Sequence, residues 1–427
     1  MNTALKASSK IIINNVVINH LRKTSLKILC LVIFCLGIFL ENSFAFMNPA
    51  GNFAGSPQDM EKNISVGAKK LIDLAYKNVD LENLHDHHTH LIGVDKKLGT
   101  SINAKMFSWR HPIDRLKTEV YLSASDVDDI GKLNEQYLDR LISLIKSNKN
   151  HGKYHILAFD HNYNSDGTIN EKKSEFYVSN EYMFSVYEKY PDIFVLVISV
   201  HPYRLDALQE LEKWAKKGVK WIKWLPNAQG IDASNPRIDE YYKMMKKYNM
   251  ILLTHTGEEQ AVEAKEDQKL GNPLLFRRPL DMGVKVVMAH CASLGEDEDL
   301  DNKNKKVPSF DLFMRLMNDP KYDGLLYGEI SAMTQFNRLP NPILTLLEHP
   351  ELHHRLVNGS DYPLPAINVI IQTKSLVKYK MITKQEREYL NEIYKYNPLI
   401  FDYVLKRTLR LPRTGKGFEA VLFEGKL

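Results

Sequence analysis

Cysteine is scarce in this chain: three occur in 427 residues. Cys30 and Cys35 fall within one apolar run near the N-terminus, so Cys291 stands alone in the remainder and no internal disulfide can form there. Cys291 follows His290 with no activating partner in sight, and it reads as a small buried filler rather than a nucleophile. A dominant charge is also lacking. The 57 basic and 52 acidic residues leave a net charge of +5, which offers no basic footprint for nucleic acid. No periodic repeat points to a solenoid. The 44% hydrophobic and 26% charged content excludes wholesale disorder and supplies a sizeable core.

The N-terminus, by contrast, is ordered like a targeting segment. Lys6, Lys10, Arg22, Lys23 and Lys27 precede the apolar run 28–40, which is followed by Ser43-Phe44-Ala45. The run falls short of the roughly 20 apolar residues of a spanning helix, and the small residues at 43 and 45 suit cleavage. Residues 1–46 are therefore expected to be an export signal that sends the chain to the periplasm. The alternative is an uncleaved anchor, with residues 28–40 held in the inner membrane. A linker and leading helix are expected over 47–78, starting with the Gly/Pro/Ser-rich stretch 48–57.

Beyond that linker, short apolar runs alternate with longer amphipathic stretches, the pattern of a parallel sheet covered by helices. Strands are expected at 81–85, 154–159, 194–200, 219–223, 250–254, 284–289, 325–330 and 354–358. Helix-like periodicity marks 130–147, 205–217, 238–247 and 310–317. Eight such units predict a (β/α)₈ TIM barrel over 79–408, with a C-terminal helical extension closing it and a tail at 409–427; an open doubly wound sheet is the rival architecture. Two long polar connections, 93–128 and 294–308, follow strand ends on the face where a barrel carries its site. The acidic run 296–299 in the second reads more readily as solvated surface than as a lid.

The chemistry concentrates at strand ends. In His85-Asp86-His87-His88-Thr89-His90, residues two apart share a face, so His88 and His90 can reach one point while His87 points the other way. Neutral imidazole is the commonest metal ligand, and two from one strand make half of a coordination sphere. His85 and His87 are read as structural. Lys223, His255, His290 and Asp361 each end a later apolar run, and strand ends converge around a barrel axis. Asp160, His161, His201, Arg204 and Glu329 are further strand-end residues able to line a pocket. Arg204 and His201 are the candidates for holding substrate, since a guanidinium forks onto carboxylates; His201 equally suits a supporting hydrogen bond. Trp221 and Trp224 read as barrel packing.

This spacing resembles the amidohydrolase superfamily of metal-dependent hydrolases, over roughly residues 83–405. The resemblance matches His88 and His90 to the family's His-x-His, with Asp86 at the preceding acidic position. It also matches His255 and His290 to the histidines of strands five and six, and Asp361 to the aspartate of strand eight. The segment 391–398 before Leu399-Ile400-Phe401 is similar to the helix and asparagine that close such domains. The resemblance implies one or two divalent ions held by His88, His90, His255, His290 and Asp361. Lys223 would bridge two ions if carboxylated, or bind a substrate carboxylate if not. Zinc is the expected metal, although nitrogen and carboxylate donors also suit manganese, iron or nickel.

The activity implied is that of a hydrolase acting on an amide, ester, lactone or related bond of a small molecule. The metal would acidify water to a pKa near 7. Asp361 would be the general base and proton shuttle, and His290 would orient water or substrate in a one-metal version. Two other readings share the same residues: a metal-dependent decarboxylase or other lyase, and an exported metal-binding protein without catalysis.

Overall fold

Eight parallel strands form one sheet in sequence order: β1 (His85–His90), β2 (Lys153–Leu157), β3 (Phe194–Ile198), β4 (Trp221–Trp224), β5 (Ile251–His255), β6 (Lys285–Ala289), β7 (Leu326–Glu329) and β8 (Leu356–Val357). The sheet closes on itself. His87 N donates to Asn358 O at 2.9 Å, Asp361 N to His88 O at 2.7 Å and His90 N to Tyr362 O at 3.1 Å, joining β1 to the backbone that continues β8. A closed (β/α)₈ barrel results, and the open doubly wound sheet is excluded because no edge of this sheet is left free. The computed structural model describes residues 50–427, apart from 52, 304 and 426. The expected signal or anchor at 1–46, with its run 28–40 and both N-terminal cysteines, lies outside the described residues. Among the described residues no helix is long and apolar enough to cross a membrane.

Strand alternation sorts the core into two layers. Leu157, Val197, Trp221, Leu253, Val287, Tyr327 and Val357 fill the barrel interior. Their neighbours Ile156, Leu196, Ile222, Leu252, Val286, Leu326 and Leu356 turn outward into the larger core shared with the helices. Trp221 and Trp224 obey the same rule. Trp221 faces the interior, while Trp224 packs on Tyr241 and Tyr242 and donates to Val200 O.

The first strand departs from expectation. Residues Leu81–Asn83 form a 3₁₀ turn capped by Asp80, and the strand is the histidine-rich segment after it. Apolar content misplaces it, because here the barrel interior is filled by imidazoles rather than by aliphatic side chains. The strand also carries a β-bulge. Asp86 pairs with Tyr154 and Thr89 with Ile156, so His87 and His88 together oppose the single residue His155. Both therefore face the barrel axis, which corrects the expectation that His87 points away.

The long connections are structured. Within 93–128, Thr100–Ile102 pairs antiparallel with Phe176–Val178, and Pro112–Ala124 is a helix. Its Tyr121 and Lys117 donate to Ala261 O and Gln260 O, which docks the helix on the segment after β5. Segment 294–308 is an antiparallel ribbon of Glu296–Asp299 and Lys305–Pro308. Its acidic run is not all solvated: alternation buries Asp297 and Asp299, bonded to Ser309 and Arg315.

Two helices, Lys384–Tyr394 and Pro398–Thr408, complete the C-terminal part. Asn397 caps the second through Leu399 N and Ile400 N, and its amide donates to Leu144 O. The tail then folds back along the start of β1, where Gly425 N donates to Asn83 O at 2.7 Å.

Candidate metal centre

At the C-terminal ends of the strands, β1, β4, β5, β6 and the segment after β8 deliver His88, His90, Lys223, His255, His290 and Asp361 to one cavity of about 120 Å³. His290 and Asp361 sit just past their strands with φ of 58° and 60°. Left-handed backbone is unusual for residues other than glycine, and at both places it turns the chain sharply at the strand end.

His88 is the hub. Its Nε2 lies 3.2 Å from His90 Nε2, 3.1 Å from Lys223 Nζ and 3.4 Å from Asp361 Oδ1. Asp361 Oδ1 is 3.2 Å from His90 Nε2, and Oδ2 is 3.8 Å from His290 Nε2. His88, His290 and Asp361 place one ligand atom each within 4.8 Å of one another.

Proton positions follow from the partners on the far side of each ring. His88 Nδ1 meets the Glu329 carboxylate at 3.0 Å, His290 Nδ1 meets Ser331 O at 3.2 Å, and His255 Nδ1 meets the Glu259 carboxylate at 3.2 Å. Carboxylates and carbonyls accept, so each Nδ1 carries the proton and each Nε2 presents a lone pair. His255 Nε2 is buried with no hydrogen-bond partner among the described residues. Burial also holds His255 neutral, its pKa lowered to about 4, and lowers His88 and His290. Bare imidazole nitrogens beside an ionised carboxylate fit a divalent ion, and the residues present could hold one.

The two charged partners behave differently. Burial works against the Asp361 charge, and the hydrogen bond from His90 Nε2 at 3.2 Å opposes it and holds the carboxyl below its usual range. Burial lowers Lys223 to about 8, against the opposing pull of Asp361, Glu329 and Glu259. A useful fraction of its amine is thus neutral near neutral pH.

Arg204 and His201 lie outside this cavity. Arg204 forks onto Asp206 at 2.8 Å and reaches Asp160 at 3.1 Å. His201 is fully buried, with Nε2 donating to Gln229 O and Nδ1 accepting from Tyr203 N. Their side chains bond residues of the loops after β2 and β3 rather than lining this cavity. Asp160 belongs to the same network, accepting from His161 N and His201 N.

Other residues support the centre from behind or from the segments over it. Glu329 orients His88 rather than lining the cavity, and Ser331 binds its carboxylate through both N and Oγ. Glu259 comes from an irregular segment four residues beyond His255, and Arg338 is buried nearby on Ser293 Oγ. The cavity walls are mostly apolar and aromatic, with Tyr121, Tyr137, Phe159, Phe176 and Val262 prominent. Two of these, Tyr121 and Tyr137, sit on helices where their period reads as ordinary core packing.

The fold and centre together define a barrel with a histidine and carboxylate cluster at the C-terminal mouth. No family model matches the chain, and no curated protein matches it in sequence. Solved structures resemble it in three dimensions at low sequence identity. An uncharacterised TIM-barrel protein from Bordetella bronchiseptica is 14% identical with a TM-score of 0.45, covering 73% of this chain and 99% of its own. A probable 2-pyrone-4,6-dicarboxylic acid hydrolase from Acinetobacter baumannii, with citric acid bound, is 14% identical at 0.40, covering 74% and 97%. A 5-carboxyvanillate decarboxylase from Novosphingobium aromaticivorans, with bound manganese, is 9% identical at 0.43, covering 73% and 94%. The barrel assignment rests on this chain's own strand order and closure.

Proposed function

We propose that the chain is a metal-dependent hydrolase of amidohydrolase type, cleaving an amide, ester, lactone or related bond of a small, largely apolar molecule. The observation that carries this reading is the position of Asp361: an ionised, buried carboxylate at the base of an apolar cavity, within 3.8 Å of three imidazoles. His88, His90, His255 and Asp361 would hold a divalent ion, with His290 and Lys223 beside them. Such an ion supplies Lewis acidity, polarising the bond under attack and acidifying water. Asp361 accepts a proton from the attacking water and returns it to the leaving group. His290, locked by Ser331, orients the polar end of the substrate, and the aromatic walls exclude bulk water from the rest.

Zinc is the metal we propose. A carboxyl group on Lys223 would create a bridging ligand for a second ion, which the lowered amine pKa supports. An intact mass without that addition, on protein holding one ion, would restrict the centre to a single metal. We also read residues 1–46 as an export signal to the periplasm, on the order of basic, apolar and small residues; N-terminal sequencing of the mature protein tests it.

The test of function combines chelation, zinc reconstitution and a panel of small aryl esters, lactones and amides in labelled water. Hydrolysis predicts metal-dependent turnover, one labelled oxygen in the product and loss of turnover in Asp361→Asn. Release of carbon dioxide without oxygen incorporation from carboxylated aromatics would replace the hydrolase by a lyase. Metal uptake with no turnover would favour a binding protein.

A further inference from the structure

A second group of histidines lies at the opposite, N-terminal end of the barrel interior. His85 and His87 from β1 and His155 from β2 can each offer one ring nitrogen such that the three lie within 4.8 Å of one another. The rings are packed together. Their centroids are 4.3 Å apart for His87 and His155, 5.2 Å for His85 and His155, and 5.5 Å for His85 and His87. Trp221 closes one side, 5.3 Å from His87 and 4.8 Å from His155.

The hydrogen bonding of this group is incomplete in a specific way. His87 Nδ1 lies 3.0 Å from Asn358 O, and a backbone carbonyl can only accept, so Nδ1 carries the proton and Nε2 is a bare lone pair. That Nε2 is buried with no partner among the described residues, and the same holds for His155 Nδ1. A hydrogen bond between His85 Nδ1 and His155 Nε2, 2.9 Å apart, satisfies one pair and leaves those two atoms unmet. His87 and His155 are 0% and 1% exposed, so the unmet atoms lie beyond reach of bulk water.

We infer that His85, His87 and His155 form a second divalent-metal site, distinct from the centre at the other mouth. A carbonyl behind a histidine fixes the tautomer and aims the opposite nitrogen, the usual support of a metal-binding imidazole. An all-nitrogen set suits a borderline ion of the zinc type rather than calcium or magnesium. His85 is the half-buried member of the three. Barrels place chemistry at the C-terminal mouth, so the role of this ion is to pin β1 to β2 rather than to act on substrate. This site is independent of the reaction proposed for the other mouth.

The test uses zinc alone as probe. The full chain is stripped by chelator and titrated with zinc against a competing indicator, alongside His155→Phe and His87→Phe. Phenylalanine keeps an aromatic ring against Trp221 and removes the nitrogens. Each variant is expected to lose one zinc equivalent while retaining the uptake removed by His88→Ala. Should both variants fail to fold, anomalous diffraction at the zinc edge on wild-type crystals decides: a peak among the three rings supports the site. Unchanged stoichiometry in folded variants, or no peak there at saturating zinc, overturns it.

Discussion

Glu329 Oε2 stands 3.0 Å from His88 Nδ1 and receives its proton, so a carboxylate that touches no cavity wall decides which His88 nitrogen faces Asp361 and Lys223. Replacing it by Gln keeps the volume but removes the charge that favours this tautomer. Glu329→Gln is expected to weaken zinc binding about 10- to 100-fold, measured by chelator competition, with little change in substrate range.

Gly359 gives that pair its room. A Cβ there would lie 2.5 Å from Glu329 Oε1 and 2.7 Å from His88 Cβ, neither of which can retreat from a packed barrel wall. Gly359→Ala should therefore destabilise the fold by about 1–3 kcal/mol, as overpacked cores do. Thermal melting and metal content should fall together.

Arg204 offers a contrast. Its guanidinium bonds Asp206 and the buried Asp160, away from the cavity. Arg204→Ala is expected to leave kcat/KM within about threefold while costing about 1–3 kcal/mol of stability, because the buried Asp160 carboxylate loses its counter-ion. A selective rise in KM would restore Arg204 to the substrate site.

His201 sets an acid limit. Burial lowers its pKa from 6.5 to about 3, and its Nδ1 already accepts from Tyr203 N. The unfolded chain therefore binds this proton first, so stability is full above pH 6.5 and declines as pH falls toward 3. Between pH 7 and pH 5 this one group should cost about 2 kcal/mol. His201→Gln, compared by urea unfolding at both pH values, should lose less stability on acidification than wild type.

Much of this was legible in the chain. Lys223, His255, His290 and Asp361 each terminate an apolar run, and such runs in a barrel end at one mouth, so their meeting follows from strand order alone. Periodicity likewise located the helices now seen at Leu133–Lys146, Ala207–Lys216, Asp239–Lys247 and Ser309–Met317. The start of β1 was placed four residues early because its interior-facing residues are histidines rather than aliphatic side chains, and the bulge that turns His87 inward leaves no mark in the sequence. Glu259 and Arg338 were invisible for another reason: their positions depend on how irregular segments fold over the mouth, which no period records. Arg204 drew attention by its chemistry, whereas its bonds to Asp160 and Asp206 depend on loop geometry that no period records.

The bulge in β1 has an arithmetic consequence. Counting inward-facing residues along the strand gives 85, 87, 88 and 90, whereas strict alternation over a strand one residue shorter would give 85, 88 and 90. Residue 87 is thus supernumerary: parity on either side is what it would be without it. A chain with His87 deleted should keep His88 and His90 aimed at Asp361, at the cost of the His87 ring and of its backbone hydrogen bond to Asn358 O. One codon would then separate the two histidine groups, leaving the upper one able to be studied without the lower.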